Sequence, residues 1–278
     1  MTCRILVILM FLQEMVTAQI SVTGKSSPSV FSPDAPQKAN VYTTANAHSH
    51  NDYENKLPFT SAYQEKFGSM EADIFLSHDS LIVGHTPADI VRKRTLEKLY
   101  LDPLLQKTRS NKGFPYSDTS LSLQLLIDVK TEALNTLDKC IEILKKYPEL
   151  TSSSRIRFVI TGNRPPADTY QKYPSFILFD GEFLKQYSDA ALQRVPLFSD
   201  NLKTYLSWNG NGAIVPNEKV ILDSLIGKAH AMNKNIRFWN APDSPEAWRQ
   251  LMNAGVDYLN TDHIAEISAF LSSGKFKK

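Results

Sequence analysis

The stretch DSPEAWRQLMNAG, residues 243–255, carries both the start and the stop signals of one helix. Ser244 suits the N-cap, Pro245 suits the first helical position, and Gly255 suits the C-terminal stop. Extended stretches flank this helix at residues 236–240 and 257–261. Since strands that alternate with helices pair in parallel, this unit predicts a parallel sheet.

The same alternation runs through the chain from Val41 onward. Roughly eight strand–helix units in about 240 residues favour an α/β fold, the closed (β/α)8 or TIM barrel. We find no repeat, linker or second domain, so residues 41–278 are predicted to form a single domain. The predicted strands are residues 42–48, 69–76, 81–85, 123–130, 156–161, 176–180, 195–199, 236–240 and 257–261. The predicted helices include residues 59–67, 134–147, 218–232, 244–254 and 263–271.

The composition is that of an ordinary globular protein, with 278 residues, 42% hydrophobic and 22% charged. A formal net charge of +2 is not the footprint of a nucleic-acid-binding protein. Of the two cysteines, Cys3 lies in the N-terminal segment discussed next, which leaves Cys140 alone. No intrachain disulfide is therefore predicted.

The N-terminus has the features of a secretory signal peptide. Arg4 precedes eight apolar residues, ILVILMFL, and the small residues of VTA end at Ala18. Since a membrane-spanning helix needs about 20 apolar residues, this run is too short to cross a bilayer. We expect cleavage after residue 18, a flexible leader over residues 19–40, a secreted or periplasmic location, and no transmembrane segment in the mature chain.

Two carboxylates share one strand in SMEADIFL, residues 69–76. Glu71 and Asp73 are two residues apart, so both side chains point to the same face. Two such carboxylates repel each other unless a proton or cation lies between them. The structural alternative is a pair of salt bridges to lysine or arginine side chains on helices.

Asp128 and Lys130 repeat this spacing in LLIDVK, on a strand whose apolar residues predict burial. An uncompensated Asp128 would be costly there. Either Asp128 and Lys130 form a structural pair, or Asp128 is a third metal ligand and Lys130 binds a phosphate oxygen. Three carboxylates together with Asn51 would form an all-oxygen site, which favours one Mg²⁺ or Ca²⁺ over zinc.

Three histidines accompany the carboxylates: His48 and His50 in NAHSHNDYEN, residues 46–55, and His85 at the end of LIVGH. Through the turn at residues 77–80, His85 returns toward Glu71 and Asp73, so it suits a general acid for the leaving group. His48 and His50 share strand parity, and one of them would be the general base. The alternative for any single histidine is a hydrogen-bonded core residue.

Together, HSHNDY, GSMEADIF, LIVGHT, LLIDVK and GVDYLNTD resemble the phospholipase-C-like phosphodiesterase superfamily, which includes the glycerophosphodiester phosphodiesterases. The resemblance runs from about residue 44 to the C-terminus and is strongest to its altered inheritance of mitochondria protein six-like subgroup. It implies that Glu71, Asp73 and Asp128 bind the metal and that His85 is the second catalytic histidine. The first catalytic histidine matches His48 by analogy with the glycerophosphodiesterases. By analogy with the phospholipases C it matches His50, and Asn51 is then also a metal ligand. The resemblance further implies attack by a substrate hydroxyl and a cyclic phosphate that water then opens.

Weaker signals surround this set. Trp239, in RFWNA, would line the substrate mouth, or alternatively pack in the core or rim. Asp262 is interpreted as a cap of the last helix.

The sequence thus predicts a secreted, divalent-metal-dependent phosphodiesterase of lipid metabolism that acts on a glycerophosphodiester, phosphoinositide or related headgroup. The oligomeric state is left open. One alternative is an amidohydrolase-type metal hydrolase, which would need histidines at the ends of strands five and six, where FILFDG and VPLFSD have none. The other is a secreted ligand-binding barrel without turnover.

Overall fold

The computed structural model describes residues 41–274, in which strands and helices alternate. These residues belong to one compact unit, and residues 1–32 lie outside the described part of the chain. The predicted signal peptide, residues 1–18, and leader, residues 19–40, also lie outside it. Both therefore stay predictions.

The strands of the described region are β1 Ala47–Ser49, β2 Ser69–Ser77, β3 Ser80–Val83, β4 Leu123–Val129, β5 Ile156–Gly162, β6 Ile177–Phe179, β7 Leu197–Asn201, β8 Asn235–Trp239 and β9 Leu259–Thr261. The helices are α1 Thr60–Gln64, α2 Asp102–Ser110, α3 Ala133–Leu144, α4 Pro148–Thr151, α5 Asp189–Leu192, α6 Pro216–Ala231, α7 Pro245–Ala254 and α8 Ile264–Ser272. Short 3₁₀ turns lie at Thr44–Asn46, Asp52–Glu54, Pro87–Arg92, Ala167–Lys172 and Leu202–Thr204, and a π-helical turn lies at Glu97–Leu101. None of the described helices is long and apolar enough to cross a membrane.

Eight parallel strands close into a barrel, as predicted. One sheet runs in the order β6–β5–β4–β2–β1–β9, and β7 pairs with β8 in a second. Single bridges join the two sheets, one between Gly181 and Phe198 and one between Arg237 and Tyr258. Strand β3 lies outside this ring as an antiparallel partner of β2.

The barrel has an interior and an outer apolar layer. Leu126, Val159 and Leu197 form a small cluster. They come from β4, β5 and β7, which are not all neighbours in the sheet, so they meet inside the ring. A larger cluster packs the outward faces of the strands against the helices. Since side chains alternate along a strand, any residue two positions beyond Leu126 also points inward.

The helix signals at residues 243–255 are confirmed. Ser244 Oγ accepts a hydrogen bond from the Ala247 amide, Pro245 begins α7, and Gly255 has φ +100° in the left-handed C-cap conformation. That conformation suits glycine because a Cβ would be strained there.

The structure differs from the predicted elements most clearly at the first strand and at α2. The first strand was predicted at residues 42–48, but Thr44–Asn46 is a 3₁₀ turn and β1 spans only Ala47–Ser49. Thr43 and Asn46 form a capping box, which satisfies backbone groups locally and competes with strand pairing. Helix α2, Asp102–Ser110, was not predicted, because it continues directly from the π-helical turn without a capping residue.

Candidate active site

Three carboxylates converge at the carboxyl ends of two neighbouring barrel strands. Glu71 and Asp73 lie on β2, and the register places Asp73 opposite Asp128 on β4. Asp128 is two residues beyond Leu126, so these side chains point into the barrel. One oxygen from each carboxylate lies within 4.8 Å of the others. The structure therefore brings together the three side chains for which the sequence predicts a metal-binding role.

Each carboxylate also has a basic neighbour. Arg237 Nη2 donates to Glu71 Oε2 at 2.8 Å. Lys130 Nζ donates to Asp128 Oδ2 at 2.7 Å and forms an ion pair with Asp73 Oδ2 at 2.9 Å. The Asp128–Lys130 contact is the structural pair considered as an alternative. The partners of Glu71 and Asp73 come from β8 and the end of β4, not from helices.

These basic neighbours compensate the acidic charge only in part. Three carboxylates face one lysine and one arginine, which leaves one negative charge. Asp73 Oδ1 and Asp128 Oδ1 are buried and accept no hydrogen bond within residues 41–274, whereas Asp73 Oδ2 faces the Lys130 ammonium. Burial and the charges of Glu71 and Asp128 raise the pKa of Asp73 to about 7, against the opposing charge of Lys130.

The residues fit a divalent cation. Buried oxygens without donors are costly unless a partner satisfies them. An all-oxygen set of carboxylates suits a hard cation such as Mg²⁺ or Ca²⁺. Glu71 stays ionised in this setting: although burial raises its pKa, the nearby Arg237 and His48 lower it well below the usual range.

His48 is fully buried and does not line the cleft. Its Nδ1 contacts Ser69 Oγ at 2.7 Å, and its Nε2 contacts Glu71 Oε2 at 3.0 Å. Burial and the charge of Arg237 lower the pKa of His48 to about 3, so the ring is neutral at neutral pH. In the structure His48 orients Glu71, which corresponds to the hydrogen-bonded alternative.

His50 faces the cleft and pairs with Asp262. Its Nδ1 lies 2.8 Å from Asp262 Oδ1, and its Nε2 lies 4.0 Å from Glu71 Oε1. Strand β1 pairs with β9 so that Ser49 is opposite Thr261, which places the two following side chains side by side. Burial lowers the pKa of His50, but the Asp262 hydrogen bond and the charge of Glu71 raise it above the usual value. The interpretation of Asp262 as a helix cap is wrong: α8 has no side-chain cap, and its N-cap residue is His263.

Asn51 and His85 meet at the hydroxyl of Tyr53. Tyr53 Oη donates to Asn51 Oδ1 at 2.8 Å and lies 3.1 Å from His85 Nδ1. His85 Nδ1 is also 3.7 Å from Asp73 Oδ2. The β2–β3 hairpin therefore returns His85 to the carboxylates. The Asn51 oxygen is held by Tyr53, and its role as a metal ligand stays a prediction.

A cleft of about 480 Å³ opens beside this cluster. Its lining residues are all polar or charged: His50, Asn51, Glu54, Asn55, His85, Thr86, Asp89 and Asp262. Trp239, 42% exposed at the end of β8, is on the same barrel face but is not among them. The loop that carries His85 is fixed by Asp89, whose Oδ2 accepts from the backbone amides of His85 and Thr86 at 3.0 and 2.8 Å.

Gly162 makes room for one carboxylate of the cluster. It has φ +70°, and a Cβ at this position would lie 2.0 Å from Asp128 Oδ1 and 2.7 Å from the carbonyl oxygen of Val129. A larger residue would therefore have to move the Asp128 side chain or the backbone beside it.

Three residues of the site were missed in the sequence: Arg237, Tyr53 and the Asp262 partner of His50. Arg237 could have been found from the sequence, because a charged residue within an apolar strand needs a partner of opposite charge, as Asp128 does. Tyr53 and Asp262 depend on loop conformation and on closure of the barrel, which local patterns do not reveal.

Comparisons with known proteins agree with this architecture. The model of the AIM6-like phosphodiesterase domain matches residues 38–154, and that of the glycerophosphoryl diester phosphodiesterase family matches residues 235–265. A crystal structure of a glycerophosphodiester phosphodiesterase from Parabacteroides distasonis superimposes with a TM-score of 0.54 at 13% identity, covering 82% of this chain and 97% of that chain. The fold is thus a TIM barrel like that of the glycerophosphodiester phosphodiesterases, and the matches support the predicted resemblance to the phospholipase-C-like phosphodiesterase superfamily.

The curated relatives define the subgroup. The altered inheritance of mitochondria protein 6 homolog of Arthroderma benhamiae is 27% identical over 254 residues, covering 78% of this chain and 81% of that protein. Altered inheritance of mitochondria protein 6 of Kluyveromyces lactis is 28% identical over 303 residues, covering 81% of this chain and 72% of that protein. These similarities support the resemblance to the AIM6-like subgroup that the motifs predict.

Proposed function

We propose that this protein is a divalent-metal-dependent phosphodiesterase that cleaves the headgroup phosphodiester of a glycerophosphodiester or a related polar substrate. The observation that carries the proposal is the convergence of Glu71, Asp73 and Asp128 within 4.8 Å beside a cleft lined by two histidines. A phosphodiesterase-like domain and fold supply the reaction class. The metal, the acid and base and the substrate class are our inference.

Glu71, Asp73 and Asp128 would hold the cation, with Asn51 as a further oxygen donor. A bound divalent cation supplies charge neutralisation at a non-bridging phosphoryl oxygen. The buried Oδ1 atoms of Asp73 and Asp128 have no hydrogen-bond partner among the described residues and are therefore free to serve it. Lys130 lies against two of these carboxylates, and we propose that its ammonium turns to a phosphate oxygen when substrate binds.

His50 suits the general base. Because the Asp262 carboxylate can only accept, we assign the proton of neutral His50 to Nδ1, which leaves Nε2 to take a proton from the attacking hydroxyl. His85 suits the general acid, because its Nδ1 faces Tyr53 and Asp73 and its Nε2 is left to protonate the leaving alkoxide. A substrate that carries a hydroxyl near the phosphorus can attack it first and give a cyclic phosphate. Detection of that cyclic product would identify this route.

The cleft favours a polar substrate. Every residue recorded at its lining carries a polar or charged side chain, which suits hydrogen bonding to a headgroup. We therefore propose that the headgroup enters the cleft and that any lipid chain stays outside it, where the exposed indole of Trp239 offers one contact. We further propose secretion, on the signal-like residues 1–18. A new N-terminus at residue 19 of the exported protein would support secretion, and retention of residue 1 would contradict it.

The geometry weighs against the two rivals. An amidohydrolase would turn His48 and His50 toward one metal, but His48 is buried against Ser69 and Glu71, and His50 pairs with Asp262. A binding barrel has no need of a histidine oriented by a carboxylate beside a cation site. It nevertheless remains a defined outcome of the experiment below.

The test is a substrate panel with the full chain, with and without a chelator. Glycerophosphodiesters, phosphoinositides, sphingomyelin and an aryl phosphodiester are assayed in Mg²⁺, in Ca²⁺ and in chelator. We expect metal-dependent turnover of a headgroup phosphodiester. Tight divalent binding with no turnover on any substrate would favour the binding barrel, and turnover unaffected by chelation would contradict the metal site.

Substituting His85 with Ala should lower kcat by about 10²- to 10⁴-fold while divalent affinity stays unchanged, because the imidazole transfers a proton and is not a ligand. Steady-state kinetics measure the fall in kcat, and calorimetric titration with the cation measures the divalent affinity. An aryl substrate with a good leaving group should recover most of the lost rate, since it needs no acid. An equal loss on both substrates would remove His85 from the acid role.

Gly162→Ala should weaken divalent affinity by about 10-fold or more, because the new Cβ would displace Asp128. Gly212→Ala is the matched control: Gly212 has φ +67°, close to the +70° of Gly162, but a Cβ there meets nothing within 4 Å. Both substitutions carry the left-handed strain of alanine, so their difference isolates the clash. Equal affinities in the two variants would show that Asp128 is not needed in its present position.

A further inference from the structure

Arg237 is the most deeply buried charge that contacts the carboxylate cluster and has no role in the mechanism above. Its side chain is 4% exposed. It donates from Nη2 to Glu71 Oε2 at 2.8 Å, from Nε to Asn260 Oδ1 at 2.8 Å, and from Nη1 to Ser199 Oγ at 3.3 Å. These bonds fix the guanidinium to β2, β7 and β9 at once.

The two oxygens of Glu71 have different environments as a result. Oε2 accepts from Arg237 and contacts His48 Nε2 at 3.0 Å, so its lone pairs are occupied. The nearest recorded basic group to Oε1 is His50 Nε2, 4.0 Å away on the side of the cleft. Glu71 is therefore held with one oxygen bound to the protein and the other turned to the cation site.

Lys130 provides the contrast. It also carries a positive charge against the cluster, but its side chain is 29% exposed, and its ion pairs within the described part of the chain are with Asp73 and Asp128. A flexible lysine near solvent can turn away when a cation arrives, whereas a guanidinium bonded to three strands cannot. The cluster thus has one mobile and one fixed counter-charge.

We infer that Arg237 is a positioning residue of the cation site: it holds Glu71 as a one-oxygen ligand and keeps its carboxylate from turning or binding through both oxygens. The inference rests on the proposed function. It assigns to Arg237 an effect on cation affinity that a purely structural arginine would not have. Partners that orient metal ligands typically contribute 10- to 100-fold to affinity.

Arg237→Lys is the decisive variant, because it keeps the positive charge but loses the bonds that the guanidinium makes in parallel. We expect Mg²⁺ or Ca²⁺ affinity, measured by calorimetry on the full chain below its melting temperature, to fall by about 10- to 100-fold. Arg194→Lys is the matched control: Arg194 is also buried and donates to the carbonyl oxygens of Tyr173 and Pro174, away from the carboxylates. Unchanged affinity in Arg237→Lys, or an equal loss in Arg194→Lys, would overturn the inference.

A double-mutant cycle tests whether the effect passes through Glu71. Once Glu71→Gln has removed the ligand, adding Arg237→Lys should cause little further loss, and fully additive losses would contradict the inference. If Arg237→Lys does not fold, Asn260→Ala releases only the Nε bond and should give a smaller loss of the same sign. Absence of cation binding by the unsubstituted protein would instead refute the proposed function itself, so the two failures are distinguishable.

Discussion

Replacement of Asp73 by Asn is expected to abolish divalent-cation binding and phosphodiester hydrolysis while raising the Tm of the metal-free protein. Asp73 lies between Glu71 and Asp128, and its buried Oδ1 accepts no hydrogen bond from a described residue. The amide removes one of three converging charges and adds a donor that can reach the neighbouring carboxylate. Stability and function should therefore change in opposite directions, as is common where an active site keeps like charges together.

Calorimetry with Mg²⁺ or Ca²⁺, a rate assay and a thermal melt in chelator measure the three effects. A domain of this size gains about 2–4 °C in Tm per kcal/mol. Asp223→Asn removes the same charge from an exposed helix position where the carboxylate pairs with Lys219, and should leave all three quantities nearly unchanged. Retained cation binding in Asp73→Asn would remove Asp73 from the ligand set, and a large fall in Tm would show that its carboxylate is structural.

His50→Gln is expected to lower kcat by about 10²- to 10⁴-fold with little change in cation affinity, because the general base is lost while the carboxylates remain. His48→Gln should behave differently. His48 contacts Glu71 and not the cleft, so its loss should first weaken cation affinity and should be partly overcome by raising the metal concentration.

Kinetics over a range of metal concentrations separate the two histidines. His78→Asn is a suitable control, since His78 is exposed in the β2–β3 turn with φ +53°, a conformation that asparagine tolerates. If His48→Gln lost turnover at saturating metal while His50→Gln kept it, the assignment of the base would be reversed.

Most of the fold was predictable because its signals are local. Buried strands read as short apolar runs, and helix α7 carries its own cap, first-turn proline and terminal glycine. Prediction failed where a local capping interaction competed with strand pairing and where a helix began without a cap. The capping box of Thr43 and Asn46 replaced most of the first predicted strand, and α2 started from a π-helical turn that carries no capping signal.

The acidic part of the site was predictable for a similar reason. Residues two apart on one strand must share a face, and adjacent parallel strands bring Asp73 and Asp128 level. The choice between His48 and His50 was not predictable, because parity alone places both at the same end. It depends on Asp262, which is far along the chain and becomes a neighbour only when β9 pairs with β1.

The closure of the barrel has a consequence for how the chain opens. Strands β7 and β8 pair fully with each other but meet the rest of the ring through one bridge on each side. Few backbone bonds must break to detach this pair, so its outer amides should exchange with deuterium before those of β4 and β5. Arg237 reaches from β8 to Glu71 and Asn260. Cation loading should therefore slow that exchange, because an occupied site would hold β7 and β8 more firmly to the rest of the ring.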